Sequence, residues 1–299
     1  MLIKCQVNTR MDFVTICFNK DIPQMSIQAA SMNIFLRNFP VDNIFVIVNE
    51  LDFVSCKNYF EDNVRHKYGE LRNKVHLIDG NSLLKLSYGH LDQMKLKILS
   101  AQLCSSSEYC ILDTKNYLIN EWKIENVFKE NKFISTIEYH NSSMNKSFEL
   151  FGIDVTQQIT IANVTPYFAP TSISKLLTKI ALKEWGTAPT RHEYLEFYLM
   201  QAAMLHHGID INDYYFNDNI WRTGIWHSNL LKFTEEDTWT NIFNNKRILV
   251  SGIHRIIFSL MDDTVQNQQQ KLWDDRKIAT YEESQKIINE MRILNPNQN

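Results

Sequence analysis

Residues 109–116, YCILDTKN, place a short run of apolar residues directly before a polar cluster that begins at Asp113. A short apolar run with an abrupt polar end is typical of a strand that is covered on both faces of a sheet. Three earlier segments have the same character and also end in polar residues. We therefore predict strands over residues 12–18, 43–48, 74–78 and 109–112.

The segments between these strands have the composition and periodicity of helices. The helices are predicted over residues 23–38, 54–68 and 90–103. Strands that alternate with helices form βαβ units, so the predicted fold class is α/β, with a mixed, mostly parallel sheet flanked by helices. Ligands bind outside the carboxyl ends of the strands in such sheets, and the polar clusters fall at those ends.

The second half of the chain mixes short strands and helices. Its predicted strands cover residues 133–139, 158–163 and 248–251, its predicted helices 172–185, 193–207 and 255–261, with a loop over 165–167. Polar helical sequence follows from residue 266. We find neither repeats nor a Gly/Ser linker, so we predict one domain over 1–275, divided near residue 120, and a C-terminal helical tail over 276–299.

Composition excludes several classes of function. The 299 residues carry a net charge of −3 and a sequence pI of about 6.3, which gives no electrostatic footprint for nucleic acid. The five cysteines are scattered without a C-x-x-C pair, so we expect neither a zinc site nor disulfides. We see no signal-peptide pattern and no apolar window of about 18 residues, and therefore expect a cytoplasmic protein. Dinucleotide, P-loop, metalloprotease and hydrolase motifs are also missing from the sequence.

Several short motifs occur in an order that resembles a known family. They are FVTICF at 13–18 with Asp21, GHLDQMKLKILSA at 89–101, ILDTKN at 111–116, Thr165-Pro166-Tyr167, His192-Glu193-Tyr194 and SGIHR at 251–255. Together they resemble the GT-A glycosyltransferases, and more narrowly a family of uncharacterised bacterial enzymes associated with surface polysaccharides such as capsule and lipopolysaccharide. The resemblance covers most of residues 12–275. It implies a nucleotide-sugar half over 1–120 and an acceptor half over 121–275.

The resemblance implies a donor-side role for Asp113, which matches the first Asp of the family's D-x-D motif. The second acidic residue of that motif helps to hold a divalent cation against a diphosphate. Here Lys115 stands in its place, and an ammonium can act as a point charge beside phosphates. The implied cofactor is therefore either a divalent cation (Mg²⁺ or Mn²⁺) or none, and Lys115 favours the metal-free alternative. His254 matches a late histidine that completes the metal shell with Asp113 or, as imidazolium, contacts the phosphates.

Inverting sugar transfer also needs a carboxylate that accepts the proton of the acceptor hydroxyl. Glu193 matches the position of this base in the family, and Glu196 lies three residues later on the same helix face as the alternate base. Acidic residues in a first helical turn also stabilise the helix dipole without any catalytic role. The catalytic candidates are Asp113, Glu193 and Glu196.

Other polar residues are candidates for ligand contacts. For the nucleotide sugar we predict Asp21, Asn49, Glu50, Asp79, Gln93, Lys97, Asp113, Lys115, Asn116 and His254, and for the acceptor Thr165, Pro166 and Tyr167. Turn formation is the competing explanation for the strand-end residues, and a solvated helix face is the competing explanation for Gln93 and Lys97. The aromatic residues of the second half form either a sugar platform or part of the core: Tyr214, Tyr215, Trp221, Trp226 and Trp239.

Our hypothesis from the sequence is a glycosyltransferase that moves a sugar from a nucleotide-sugar donor to a surface-glycan or lipid-linked acceptor. We expect at most peripheral association with the inner face of the cell membrane. Two alternatives stay open. One is a nucleotidyl- or phosphosugar-transferase, although no glycine-rich phosphate loop follows the first strand. The other is a non-catalytic domain that binds nucleotide sugars or a partner enzyme, in which Lys115 marks a lost metal site.

Overall fold

The computed structural model describes residues 10–87, 89–139, 142–185 and 194–296 of the chain. Its first half alternates strands and helices: β1 (Met11–Cys17), α1 (Gln24–Phe35), β2 (Val41–Val48), α2 (Phe53–Asn63), β3 (Val75–Asp79), α3 (His90–Leu99) and β4 (Glu108–Asp113). All four predicted strands and the three helices between them are present. The second helix is shorter than predicted, because a 3-10 segment over Arg65–Lys74 follows it. Gly69 within that segment has a φ of 51°, a conformation that favours glycine.

The strands after β4 are shorter than those before it. The elements of this part begin with β5 (Asn116–Leu118), α4 (Ile124–Val127), β6 (Phe128–Lys129), β7 (Lys132–Ser135), β8 (Ile137–Glu138), α5 (Asn145–Glu149), β9 (Thr160–Ile161), β10 (Tyr167–Pro170) and α6 (Thr171–Trp185). They continue with α7 (Glu196–His206), α8 (Ile211–Tyr214), β11 (Tyr215–Asn217), α9 (Glu236–Asn244), β12 (Val250–Gly252), α10 (Ile257–Leu260), α11 (Asp263–Asp275) and α12 (Tyr281–Leu294).

The central sheet has five strands in the order β10-β4-β1-β2-β3. β1 lies between β4 and β2 and pairs in parallel with both, and β3 continues the parallel part. β10 pairs with β4 in the antiparallel direction, which makes the sheet mixed and mainly parallel and confirms the predicted class. The predicted loop over 165–167 is wrong at Tyr167, because this residue begins a fully buried edge strand.

The two larger of the three clusters of apolar side chains among the described residues hold most of these elements together. The larger cluster packs on both faces of the central sheet, where every residue of β1 is buried. The smaller cluster lies around β12 and the C-terminal helices and includes Tyr117 and Trp273. Helix α1 contributes to both, since Met25 and Met32 belong to the larger cluster and Ile27 to the smaller one. The two halves of the chain therefore share a continuous interior along α1.

The segment predicted as a C-terminal tail contains the regular helix α12. Thr280 and Glu283 form a capping box at its start. The apolar face of the helix is buried, and Tyr59 of α2 donates a hydrogen bond to Glu290 at 2.5 Å. The helix therefore packs against the first half of the chain. Within the described ranges, no helix combines the length and the apolar character needed to cross a bilayer.

A short strand pair brings the last motif of the sequence to the end of β4. β5 begins shortly after Asp113, and β12 pairs with it in the antiparallel direction so that Gly252 lies opposite Asn116. A Cβ atom at Gly252 would lie 3.1 Å from the carbonyl oxygen of Lys115. Glycine therefore allows the backbone that leads to His254 to pack directly against the turn that carries Lys115.

Candidate active site

A cleft of about 330 Å³ opens at the carboxyl ends of β1 and β4. This is the edge of an open α/β sheet at which ligands bind. Many of the residues predicted from the sequence line it: Asp21, Gln93, Lys97, Asp113, Lys115, Thr165, Glu196 and His254. They come from segments far apart in the chain, so the fold brings the separate motifs to one place.

Lys97, on α3, joins two carboxylates of this cleft. Its Nζ lies 2.9 Å from Asp113 Oδ1 and 2.9 Å from Glu196 Oε1, and only 6% of its side chain is exposed. Burial lowers the pKa of a lysine, but the two carboxylates outweigh it and raise the pKa of Lys97 above its ordinary value. The Lys97 ammonium is therefore a fixed positive charge between Asp113 and Glu196.

Asp113 ends β4 and has cations on both of its oxygens. Its Oδ2 forms an ion pair with Lys115 and accepts a hydrogen bond from Thr165 Oγ1 at 3.0 Å, while its Oδ1 faces Lys97. Burial raises the pKa of a carboxyl group, but Lys115 and Lys97 outweigh it and hold the pKa of Asp113 well below its usual range. Asp113 is therefore a carboxylate at neutral pH.

Asn116 supports the turn after β4 and does not line the cleft, which corrects its predicted role as a nucleotide contact. Its Oδ1 accepts a hydrogen bond from the backbone N–H of Asp113 at 2.8 Å. Gln28 Nε2 donates to the carbonyl oxygens of Asp113 and Asn116 at 2.8 and 3.0 Å, and Thr15 Oγ1 donates to Gln28 Oε1 at 2.9 Å. The sequence did not indicate Gln28, because the two carbonyl oxygens to which it donates belong to residues more than 80 positions away.

Lys115 lies between Asp113 and an aromatic pair. Its Nζ is 4.6 Å from the centre of the Trp226 ring, and this ring stacks on the imidazole of His254 with ring centres 5.5 Å apart. Trp226 lines the cleft and keeps 37% of its surface exposed. The other candidate aromatics belong to the core: Tyr214, Tyr215, Trp221 and Trp239.

His254 lies in the cleft as predicted, but its surroundings do not favour the imidazolium form. Burial lowers its pKa to about 4, and the positive charges of Lys115 and Arg255 act in the same direction. The imidazole is therefore neutral at pH 7 among the side chains that surround it. The His254 ring instead stacks on the Trp226 ring and holds it in place.

Arg255 is a cation of the cleft for which the sequence predicted no ligand contact. Its guanidinium lies 3.2 Å from Asp21 Oδ2 and 5.9 Å from the centre of the Phe18 ring. Burial raises the pKa of Asp21, although Arg255 opposes this effect. The two residues are 234 positions apart, so no local pattern could have paired them.

Besides Asp113 Oδ1, which faces the Lys97 ammonium, two acceptor atoms beside the cleft have no hydrogen-bond partner among the described residues. Glu196 holds Lys97 with Oε1, while its buried Oε2 is unpaired. Gln24 donates from Nε2 to the carbonyl oxygen of Ile253 at 2.8 Å, while its Oε1 is unpaired. Buried polar atoms are normally hydrogen-bonded, so these two atoms are suited to accept hydrogen bonds from a ligand.

Three strand-end residues predicted as nucleotide contacts do not line the cleft. Asn49 is buried and donates to the carbonyl oxygen of Gly89 at 3.2 Å. Glu50 accepts a hydrogen bond from the backbone N–H of Asn19 at 3.1 Å, and Asp79 accepts one from the backbone N–H of Asn81 at 2.9 Å. Only Asp79 fits the competing explanation of turn formation, because the backbone partners of Asn49 and Glu50 lie 40 and 31 residues away in sequence.

Of the three residues predicted to contact the acceptor, one lines the cleft and two do not. Thr165 lines the cleft, whereas Pro166 and Tyr167 do not. Tyr167 is buried in β10, and its ring stacks on Phe197 with ring centres 4.1 Å apart. Its predicted role is therefore corrected to core packing. The predicted base Glu193 lies outside the described residues.

The GT-A likeness implies a divalent cation, and we tested whether the cleft residues fit one. Both oxygens of Asp113 face lysine ammonium groups, and Lys115 occupies the position of the second acidic ligand. His254 is stacked on Trp226. Across the described part of the chain, no group of three or more His, Cys, Asp or Glu side chains is placed to hold a metal. The residues that are present do not fit a divalent cation.

A second cavity, of about 350 Å³, lies at the opposite end of β4. Glu108, Tyr214 and Lys175 are among the residues that line it. Burial raises the pKa of Glu108 to about 8, although a hydrogen bond from the Tyr214 hydroxyl opposes this rise. The second cavity therefore holds a carboxyl group that is mostly protonated at neutral pH.

Comparison with known proteins defines the fold. No family model matches the sequence, and no curated protein matches it. Among solved structures, an active-site mutant of LgtC is similar over 89% of this chain and 96% of its own, with 11% identity and a TM-score of 0.51. The galactosyltransferase LgtC in complex with donor and acceptor sugar analogues matches over 93% and 95%, with 8% identity and a TM-score of 0.48.

A weaker similarity is to the apo form of the glycosyltransferase GlyE of Streptococcus pneumoniae TIGR4. It covers 94% of this chain and 63% of GlyE, with 12% identity and a TM-score of 0.45. The similarity to the LgtC mutant, with a TM-score of 0.51 at 11% identity, shows the fold alone. The chain has the GT-A glycosyltransferase fold, and its candidate site lies at the carboxyl edge of that fold's central sheet.

Proposed function

We propose that the protein is a glycosyltransferase that moves a sugar from a nucleoside-diphosphate-sugar donor to a hydroxyl group of a glycan or lipid-linked acceptor. The observation that carries the proposal is the arrangement of Asp113 and Glu196 on either side of Lys97 in one cleft. The fold that the chain shares with LgtC supports the reaction class.

In this reaction the acceptor oxygen forms a bond to the anomeric carbon of the donor sugar, and the bond from that carbon to the diphosphate breaks. The diphosphate leaves with the bonding electrons, and the hydroxyl proton passes to a carboxylate. Glu196 fits the proton acceptor, because Lys97 fixes its Oε1 while its Oε2 has no partner in the described structure. Direct displacement of this kind inverts the anomeric configuration.

Substitution of the two candidate bases tests this mechanism. Transfer and donor hydrolysis would be measured with UDP-, GDP- and dTDP-sugars and mixed glycan acceptors. We expect Glu196→Gln to lower kcat at least about 100-fold while donor binding persists, since loss of a general base typically costs 10²–10⁴-fold. Glu236→Gln, at an exposed position of α9, is the matched control and should leave the rate unchanged.

The other outcomes separate the alternatives. Retained activity in Glu196→Gln together with loss in Glu193→Gln would move the base to Glu193. Donor binding without turnover in every acceptor mixture would instead favour the non-catalytic domain. Release of pyrophosphate during formation of a nucleotide sugar would favour the nucleotidyltransferase.

The acceptor class and the location belong to the same proposal. The sequence resemblance implies a surface-glycan or lipid-linked acceptor, used by a cytoplasmic protein at the inner face of the membrane. Lys246 and Arg247 are exposed, but Ile248 and Leu249 are buried, so this stretch offers charge without an apolar anchor. Flotation with phosphatidylglycerol vesicles should show weak binding that about 0.5 M salt removes, because salt screens surface charge. Binding that survives this salt would show an apolar contact that the structure does not explain.

A further inference from the structure

The cations of the cleft fall into two groups. Lys97 is held between two carboxylates and only 6% of its side chain is exposed. Lys115 and Arg255 each contact one carboxylate, Asp113 and Asp21 respectively, and 17% and 38% of their side chains are exposed. The second group can therefore reach a ligand in the cleft, whereas Lys97 cannot without leaving both of its partners.

We propose that Lys115 and Arg255 together bind the diphosphate of the donor in place of the divalent cation that the GT-A fold implies. This inference rests on the proposed function and names the phosphate-binding groups of the same site. Two monovalent side chains supply the same total charge as one divalent ion. Each exchanges an aspartate oxygen for a phosphate oxygen when the donor binds, and Asp113 keeps Lys97 as its partner.

Trp226 positions the Lys115 ammonium for this exchange. Nζ lies 4.6 Å from the ring centre, within the range of a cation–π interaction. The ring is itself fixed by stacking on His254. An aromatic face attracts the ammonium without forming a hydrogen bond, so it leaves the donor N–H groups of Lys115 available for phosphate oxygens.

The same arrangement disfavours a metal ion. A cation beside Asp113 would have to displace Lys115 and would stand next to the positive charge of Lys97. Two like charges at such a distance repel strongly in a partly buried site. The GT-A fold implies a metal site, but the lysine side chains around Asp113 in this chain disfavour one.

The test is calorimetric titration of UDP, GDP and dTDP into the full-length protein, with EDTA and with Mn²⁺. We expect at least one nucleoside diphosphate to bind with the same affinity under both conditions. Lys115→Met should weaken this binding by about 10–100-fold, the usual effect of losing a hydrogen bond to a charged group. Trp226→Leu should weaken it by about 2–5-fold, as expected for a cation–π contact.

Two further variants make the test selective. Lys179→Met, at an exposed position of α6, removes one lysine charge away from the cleft and should leave the affinity unchanged. Lys115→Asp should bind poorly in EDTA and recover when Mn²⁺ is added, because it restores a second carboxylate beside Asp113. Circular dichroism melting of each variant reports whether it is folded.

The possible results distinguish a failure of the phosphate-binding role of Lys115 from a failure of the proposed glycosyltransferase function. Nucleotide binding that requires Mn²⁺ in the natural chain would overturn the role of Lys115 and leave glycosyl transfer intact. Unchanged affinity in a folded Lys115→Met variant would show that Lys115 is only a partner of Asp113, and would also overturn it. Failure of every nucleoside diphosphate to bind under either condition would reject the proposed function together with this inference.

Discussion

The two ends of β4 carry carboxyl groups in opposite electrostatic states. Asp113 ends the strand in the cleft, and Glu108 begins it in the second cavity, about 17 Å away at roughly 3.3 Å per residue. Burial raises the pKa of both groups. Lys115 and Lys97 reverse the effect at Asp113, whereas at Glu108 only a hydrogen bond from Tyr214 opposes it.

This difference shows why burial alone does not identify an active site. Burying a carboxyl group in a protein favours its neutral form, as at Glu108. Keeping it charged needs nearby cations, and Asp113 has two within ion-pair distance. Ion pairs of this kind often cost stability compared with apolar packing, so their presence in a cleft favours a functional explanation.

The largest expected effect is on catalysis. Under the proposed function, Asp113→Asn should lower the transfer rate at least about 100-fold, because it removes the charge that holds Lys97 and Lys115 in place in the cleft. Glu108→Gln, at the other end of the same strand, should change the rate by less than about threefold. Initial rates at saturating donor and acceptor, with melting curves for both variants, give the comparison. Equal losses would mean that the two cavities are functionally coupled.

The next effect is on stability. Lys97→Met leaves Asp113 and Glu196 as buried carboxylates without their shared cation, and loss of one partner of a buried pair costs about 3–5 kcal/mol. Lys175→Met removes only a hydrogen bond to the carbonyl oxygen of Cys104 and should cost about 1 kcal/mol or less. Urea denaturation measures both free energies of unfolding. Similar values for the two variants would show that the carboxylates in the cleft find other partners.

The predictable part of the molecule is the part that local pattern determines. The apolar runs that became β1 and β4 are continuous because both faces of the sheet are covered there. Their polar ends placed Asp113 at the correct edge of the sheet. The strand β10 escaped prediction because its four residues read as the continuation of a proline-containing loop, and only pairing with β4 makes them a strand.

The remaining features of the site depend on contacts between distant segments. The pairing of β12 with β5 brings the residues that follow β12 to the cleft. There Arg255 contacts Asp21, and His254 stacks on Trp226. The charge of His254 could not be predicted either, since its lowered pKa comes from burial and from Lys115 and Arg255. Residue type and spacing identified the candidates, and the fold decided which of them meet.

A third prediction concerns pH. The pKa of Glu108 is raised from its ordinary value of 4.5 to about 8, so between these values the folded protein keeps a proton that the unfolded chain has lost. The free energy of unfolding should therefore fall as pH rises through this window, by at most about 1.4 kcal/mol per unit from this group. Glu108→Gln stays neutral and should lack this contribution.

Urea denaturation of both proteins at pH 5, 6, 7 and 8 measures the effect. The quantity of interest is the difference between the two free energies of unfolding, because other titrating groups then cancel. A difference that stays constant across this range would show that Glu108 is ionised in the folded protein, as Asp113 is, because neither state then binds the proton.

The smallest expected effect shows which partner donates the hydrogen bond between Tyr214 and Glu108. Tyr214 donates to Glu108, and this bond lowers the pKa of the carboxyl group. Tyr214→Phe should therefore move the midpoint of the pH-dependent stability change to higher pH, with a loss of about 1 kcal/mol or less at pH 7. The same denaturation series measures it. A midpoint that moves to lower pH would mean that the protonated carboxyl group donates to Tyr214, because removing an acceptor of its proton destabilises the neutral form. The amino end of β4 would then be organised around a neutral acid, in direct contrast to the carboxylate at its other end.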